Sequence, residues 1–461
     1  MSAHPRSSRS RSGRPAAAAN PAGTSGGRRS SAAIHPAHRL ASWTLGLLVL
    51  VLPIVLDSAQ KDAFRLPKAL FGETLALLSL FFLSFAWKGR EEWRALLRAP
   101  FVAAFGPFVV LATLLSTLSP HVAHVHRGLV GLWIGALAVW GWSVGFERRE
   151  LRGALSLQLV PAAVLAAIAI LQFHDLYQPY SFAGVAETSR FAVGSLAGNV
   201  GDLAAYLVLP AILAQAEIVR GRRVGLSVAA LVLCLYGLAV TQTFSAIAAL
   251  VAGSAVFWLF RISRRRALTA LAVVAGAVVL LLAVVAPLRD RVVTKSGEIA
   301  RGDWNSVLTG RLDGWRAAVW MLRQHPATGV GVGAYRTEFI AAKTALVRSG
   351  VPFFAEQQNV VFANAHNELL EVAAETGWPG LAAFVFGLVL LLRRLRRWHG
   401  APAALAWAGV AAVAVLSSAN FPFRIGIALW PICLFLAWIF SRDEEGERHE
   451  RGAADSARGG A

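Results

Sequence analysis

The chain is short of charge. Only 15% of its 461 residues are Asp, Glu, Lys or Arg, while 56% are hydrophobic. That balance excludes an ordinary soluble globular protein, because long uncharged runs need a lipid solvent and roughly 20 apolar residues span the hydrocarbon core. Acidic residues are scarcer than basic ones, 26 against 45, which leaves a net charge of +19. The basic excess gathers in short clusters between apolar runs, as positive-inside topology places it. It therefore orients the chain in a bilayer, and no nucleic acid partner is expected. Cysteine is nearly missing. Cys234 and Cys433 both sit in apolar runs, which excludes a disulfide framework and a cysteine metal site.

What the sequence does contain is apolar runs in number. Twelve expected spans cover 41–57, 69–87, 101–118, 128–146, 153–173, 199–218, 224–242, 244–260, 268–286, 379–393, 402–419 and 425–440. The expected fold is an all-α integral membrane protein with a large external loop between spans 9 and 10. Residues 1–40 are rich in Ser, Arg, Ala, Gly and Pro, too poor in large apolar side chains to offset their ordering entropy, and are expected to be a disordered basic tail. The first apolar run lacks a small-residue cleavage site and reads as a retained helix. Residues 41–286 then carry spans 1–9, 287–378 the loop, 379–440 spans 10–12, and 441–461 a charged tail.

Basic clusters fall on alternate sides. Those around Arg94, Arg148, Arg222, Arg265 and Arg394 share the side of both termini, which is therefore expected to be cytoplasmic. A loop of this length between packed helices is presumptively functional. Inside it a helix is expected over about Leu312–Gln324, capped by Thr309 or Asp313, with Leu312, Trp315, Val319 and Leu322 on its apolar side. Such a helix can lie along a membrane surface. Pro326 ends it, and Gly329, Gly331 and Gly333 read as backbone punctuation rather than a phosphate cradle. A second helix is expected over His366–Thr376, with Glu371 and Glu375 on one face. Trp378 suits an interfacial aromatic belt. His121, His124 and His126 have a spacing that can bind metal, but a polar interfacial turn is the better reading. Glu73 and Asp202 lie near or inside spans, where an ionisable group is a functional candidate.

The ordered residues His366, Asn367, Leu370, Glu375, Gly377 and Gly380 form the pattern His-Asn-x-x-Leu-x-x-x-x-Glu-x-Gly-x-x-Gly. With the long loop, this pattern resembles the O-antigen ligase and polymerase superfamily. Asp62, Phe64, Pro67 and Lys68 are similar to that family's Asp-x-Phe-x-x-Pro-Lys signature, and Arg190, Gly194, Asn199, Leu203 and Ala204 to its helix-leading step. The chain departs from the family pattern at two places. Val200 and Gly201 stand where an Asn-Pro-Asn triplet would continue, and Ala246 stands where Thr-x-Ser-Arg would end.

The resemblance implies a GT-C-like membrane glycosyltransferase of a bacterial inner membrane, without metal or cofactor. Its donor would be a glycan on a polyprenyl diphosphate, and its acceptor a hydroxyl of lipid A core, growing polysaccharide or protein. It further implies His366 as the base that takes the acceptor proton and Arg311 as a diphosphate ligand. Arg316 and Arg190 are further candidates for the diphosphate, with Asn367, Glu371, Glu375 and Asn199 in support. A base with a pKa near neutrality and a bidentate cation suit that chemistry. The rival reading is a transporter of a small solute or anion, which would concentrate ionisable residues at mid-membrane. Here they gather in the outer loop, which favours the enzyme.

Overall fold

The computed structural model describes residues 35–59, 62–87, 96–178, 192–261, 286–351 and 361–441, with isolated positions at 89, 94, 265, 269, 276, 279 and 353. Everything considered below belongs to one compact unit, Pro36–Ala461. Regular structure among the described residues is helical throughout. In chain order the helices are α1 (Pro36–Val51), α2 (Arg65–Ala86), α3 (Pro100–Ser116), α4 (Val122–Gly145), α5 (Arg148–Leu157), α6 (Leu159–Phe173), α7 (Val200–Val219), α8 (Val224–Thr241) and α9 (Phe244–Leu259). They continue as α10 (Ala286–Ala300), α11 (Trp304–Val307), α12 (Arg311–Gln324), α13 (Tyr335–Arg348), α14 (Glu368–Leu395), α15 (Gly400–Ser417) and α16 (Gly426–Phe440).

Eight helical stretches are long and apolar enough to cross a membrane: Pro36–Ile54, α2, α4, Arg148–Phe173, α7, α8, α14 and α15. Three shorter apolar helices, α3, α9 and α16, pack among them. The expected span at 268–286 and both tails fall mainly outside the described residues. The bundle is built around α7, of whose apolar window 89% is buried, against 28% for α2. α8, α9, α15 and α16 all contact α7. Its Ala-rich faces let these neighbours approach closely, which is how helices associate when lipid is as apolar as their own side chains.

Polar contacts fix the two ends of the bundle. At one end Arg394 donates to the carbonyls of Ile439 (2.8 Å) and Ser441 (2.6 Å), and Arg148 also reaches the Ser441 carbonyl. Basic side chains there satisfy carbonyls that the end of α16 leaves open. Arg152 forms an ion pair with Glu217 at the same end, with both side chains buried. At the other end the buried Lys68 ammonium donates to the carbonyls of Val55 (2.6 Å) and Leu196 (2.7 Å), tying α2 to the turns before α2 and α7. The long connection α10–α13 sits at this second end, where α12 and α13 pack together and α12 packs on α14.

Two sequence expectations change in detail. α12 begins at Arg311 after Gly310, whose backbone is left-handed, and has no side-chain cap. Asp313 instead lies buried in the first turn, accepting from Asn305 Nδ2 at 2.9 Å with Arg316 at 3.7 Å. The buried stripe of α12 is Asp313, Gly314, Ala317, Ala318, Met321 and Leu322. Leu312, Trp315 and Val319 are only half-buried. The smaller side chains win because Gly314 abuts the carbonyl of Ala365, an approach that a bulkier face would block.

Candidate functional site

The helix that follows His366 carries Glu368, Glu371 and Glu375 at spacings of three and four, which puts all three carboxylates on one face. All three are buried. Burying one ionised carboxylate is costly, and burying three requires a partner. Arg424, in the short turn between α15 and α16, is that partner. Its guanidinium lies 2.5 Å from Glu375 Oε2 and 3.6 Å from Glu371 Oε1. The remaining acceptor capacity goes to backbone and amide donors. Glu368 accepts from Phe423 N (2.9 Å), Glu371 from Ala365 N (2.9 Å) and Asn364 Nδ2 (2.8 Å), and Glu375 from Gly333 N (2.8 Å). Burial works against the Arg424 charge, but the carboxylates outweigh it and raise the guanidinium above its ordinary value.

The glycine run lies directly on this helix. Val330 N and Gly331 N donate to the carbonyls of Ala374 and Glu375, each at 2.9 Å, and Trp378 N donates to Pro326 O at 2.9 Å. α14 breaks at Gly377 (φ 64°, ψ −171°), and that break frees those carbonyls for the glycine turn. Gly329 has φ 67°, and a Cβ there would come within 2.2 Å of the Glu375 carbonyl carbon. Gly329→Ala should therefore destabilise the fold by about 2–5 kcal/mol, combining a left-handed penalty with overpacking. Thermal unfolding of the purified protein in detergent checks this; an unchanged midpoint would contradict the contact.

His366 sits just before α14 in a left-handed conformation (φ 57°), an uncommon state for a non-glycine residue that clusters at functional sites. Asn367 holds the geometry. Its side chain caps α14 by accepting from Leu370 N (3.0 Å), and its Nδ2 donates to Ser418 O (3.0 Å). The His366 ring lies between Phe362 and Phe421, with centroids 5.4 and 4.7 Å away, and Trp315 Nε1 approaches the His366 carbonyl at 3.4 Å. The ring Nδ1 is buried and has no hydrogen-bond partner among the described residues. Burial, followed by the charges of Arg311 and Arg65, pushes the imidazole down to about 3, so the ring is neutral at physiological pH.

Three arginines surround this histidine or adjoin its neighbours. Arg65 opens α2 and grips buried Asp202 through Nε (2.7 Å) and Nη2 (2.8 Å), with its guanidinium 6.0 Å from the Phe421 ring. Asn199 caps α7 through Gly201 N (2.8 Å) and so fixes Asp202 in the first turn. Arg311 donates Nη1 to Leu308 O (3.1 Å), while its buried Nε has no partner among the described residues. Burial, then the charge of Arg291, lowers the Arg311 guanidinium below its ordinary value. Arg291 itself lies with its guanidinium 5.5 Å from the Phe244 ring, two residues before fully buried Ala246.

Of the sequence-derived candidates, His366 and Arg311 lie within each other's electrostatic reach, and Asn367 braces His366. Glu371 and Glu375 face Arg424. Arg316 reaches back to Asp313, and Arg190 lies outside the described residues. Glu73 pairs with Arg127 at 3.2 Å, and His121 Nε2 meets Glu338 at 2.9 Å. Arg424, Arg65 and Arg291 escaped the sequence reading. Arg424 had a visible signal, as an arginine in a turn of few residues between two apolar helices. Arg65 lay within the quoted Asp-x-Phe-x-x-Pro-Lys stretch at a position that signature leaves open.

Apolar helices of this length, with a braced cluster of ionisable groups at one end, define a multi-pass membrane protein. Residues 229–385 match the family model described as O-Antigen ligase, a stretch that runs from α8 into α14 and includes Arg291, Arg311 and His366. On that segment the chain is similar to the O-antigen ligase family, the same family that the motifs resemble. No curated protein matches the chain.

Proposed function

We propose that the chain transfers a glycan from a polyprenyl diphosphate to an acceptor hydroxyl, with inversion and without a metal, at the periplasmic face of a bacterial inner membrane. The acceptor is a sugar of lipid A core, a growing polysaccharide or a protein side chain. The observation that carries this reading is a neutral, strained, partly enclosed histidine beside a guanidinium whose Nε has no partner among the described residues. In the proposed step His366 takes the acceptor proton, the acceptor oxygen bonds to the anomeric carbon, and the sugar–phosphate bond breaks. The leaving diphosphate departs with the electron pair towards Arg311.

The electrostatics support a link between donor binding and basicity. Burial holds His366 down first, and the charges of Arg311 and Arg65 add to it. A diphosphate placed against Arg311 offsets the charge contribution and raises the imidazole's affinity for a proton. Glu371 and Glu375 act through Arg424 as a brace that holds the glycine turn and the start of α14. Arg316 and Arg190 remain proposed donor contacts; Arg316 would have to leave Asp313 to serve. A transporter reading has less support, because the ionisable cluster gathers at one end of the bundle rather than along its middle.

Reconstituted full-length protein given a polyprenyl-diphosphate glycan and an acceptor sugar should form the glycoside. Absence of product with every acceptor class would sink the proposal. Orientation is tested separately. A reporter inserted within residues 349–360 should read as external and one placed after Arg397 as cytoplasmic; the reverse would place the site on the wrong face for this chemistry.

A further inference from the structure

Arg65 and Asp202 form a rigid pair close to His366. Asp202 has 3% of its side chain exposed and takes two N–H groups of Arg65, Nε at 2.7 Å and Nη2 at 2.8 Å. The frame behind the pair is stiff. Asn199 caps α7 and sets Asp202 in its first turn, while Asp62 accepts from the Arg65 backbone N–H at 2.9 Å. Lys68, one turn further along α2, is tied to the carbonyls of Val55 and Leu196. Gly198, with φ 77°, lets the turn before α7 close on Phe64, since a Cβ there would meet the Phe64 ring at 2.1 Å.

Pairing with Asp202 uses only one edge of the guanidinium. The group carries five N–H donors, and those of Nη1 have no acceptor among the described residues. Unlike Asp202, Arg65 is open, with 44% of its side chain exposed. Its guanidinium lies 6.0 Å from the Phe421 ring, whose centroid is 4.7 Å from that of His366. Arg65 and the proposed base thus adjoin the same phenyl ring, close enough for a short saccharide to touch both.

What such an edge binds follows from its charge. Asp202 neutralises Arg65 at contact distance, so an anion brought to the open edge feels the carboxylate's repulsion along with the guanidinium's attraction. A neutral hydroxyl needs a fixed donor rather than a net charge. The two-point grip of Asp202 holds that donor in place before anything binds, which cuts the ordering cost of binding. A pyranose presents several hydroxyls at fixed spacing, whereas a serine or threonine presents one on a flexible main chain.

We propose that the open edge of Arg65 is an acceptor subsite: it hydrogen-bonds one sugar hydroxyl while another hydroxyl of the same saccharide reaches His366, so the acceptor is a saccharide rather than a protein side chain. The inference rests on the proposed transfer for the role of His366. Sugar binding at Arg65 is measurable without transfer.

The test uses full-length protein in a detergent without a sugar head group. Saturation-transfer NMR reads binding of methyl α-glucoside, methyl α-galactoside, lactose and N-acetylserinamide, and calorimetry reads inorganic pyrophosphate. At least one of the three sugars should bind the wild type saturably, and N-acetylserinamide should not. Arg65→Gln should weaken that sugar about 10-fold, the loss of one charge-assisted hydrogen bond, and leave pyrophosphate as in the wild type. Asp202→Asn frees the guanidinium charge, so pyrophosphate should bind more tightly and the sugar more weakly. A purely structural ion pair would not produce that exchange.

Arg65→Gln by itself strands a buried carboxylate. The double variant Arg65→Gln/Asp202→Asn leaves no charge there, so it should keep a thermal midpoint near that of the wild type and still lose the sugar. Four results would each overturn the subsite: no sugar bound by the wild type, sugar retained in the folded double variant, pyrophosphate lost with Arg65→Gln, or both probes unchanged in Asp202→Asn. Sugar binding that depends on Arg65, in a protein that transfers no glycan, would overturn the transfer reading and leave the subsite standing.

Discussion

His366→Gln should insert and fold as the wild type does, bind a polyprenyl diphosphate, and lose glycan transfer by about 10²- to 10⁴-fold, the usual contribution of a general base. Glutamine keeps a hydrogen-bonding side chain between Phe362 and Phe421 but cannot accept a proton near neutrality. His366→Ala should fail equally, and Asn367→Ala less completely, because Asn367 caps α14 and braces the histidine without touching the reacting atoms. The measurement is transfer in a reconstituted assay, normalised to folded protein. Substantial transfer by His366→Gln would remove the base assignment.

The same histidine makes a prediction about pH. The folded ring titrates at about 3, well below its ordinary value near 6.5. The unfolded chain therefore binds the additional proton between those limits, so this group lowers stability as pH falls from about 6.5 towards 3. Above 6.5 both states are neutral and it contributes nothing. His366→Gln should consequently gain on the wild type in thermal midpoint at pH 4–5 relative to pH 8. In the free enzyme, kcat/KM should show no acidic limb near 6.5 arising from this residue. An acidic limb at that pH that vanishes in His366→Gln would mean the ring is not held down as described.

Arg424→Ala carries a large expected loss of stability. Glu371 and Glu375 are 0% and 2% exposed, so deleting the guanidinium leaves two buried carboxylates without their cation and with little access to water. Removing one partner of a buried ion pair costs about 3–5 kcal/mol. A quarter of the Arg424 side chain is exposed, which places the expected loss near 3 kcal/mol, at the lower end of that range. Transfer should fall with it, because the glycine turn hangs on Glu375 through Gly333 N and the start of α14 hangs on Glu371 through Ala365 N. Arg424→Lys should retain part of the stability, since it keeps the charge but cannot span both carboxylates. Thermal unfolding in detergent decides this. A variant with an unchanged midpoint would show that the carboxylates find other partners.

Much of the architecture was legible in the chain because the bilayer imposes one rule on every span. Backbone polar groups must be satisfied within the segment, so apolar length alone reveals helices such as α2, α4 and α8. Arginines in the last turn of α14 and at the start of α5 likewise marked one end of the bundle, since charged side chains collect where a span leaves the lipid. Local spacing also revealed the carboxylate face of α14, because a helix brings residues three and four apart together. His366 could be singled out from its motif, and the break at Gly377 from the adjacent glycine and proline.

Only the folded chain decided which charges meet. Arg65 and Asp202 are 137 positions apart, and Arg424 and Glu375 are 49. Nothing periodic in the sequence connects them. The buried side of α12 likewise depended on its neighbour, where the carbonyl of Ala365 favoured Gly314 and two alanines over larger apolar residues. The depressed basicity of His366 and the open donor of Arg311 have the same origin. Hydrophobic length and helical periodicity are properties of adjacent residues and survive in a linear reading, whereas desolvation and Coulomb energy depend on distances that exist only after distant helices pack.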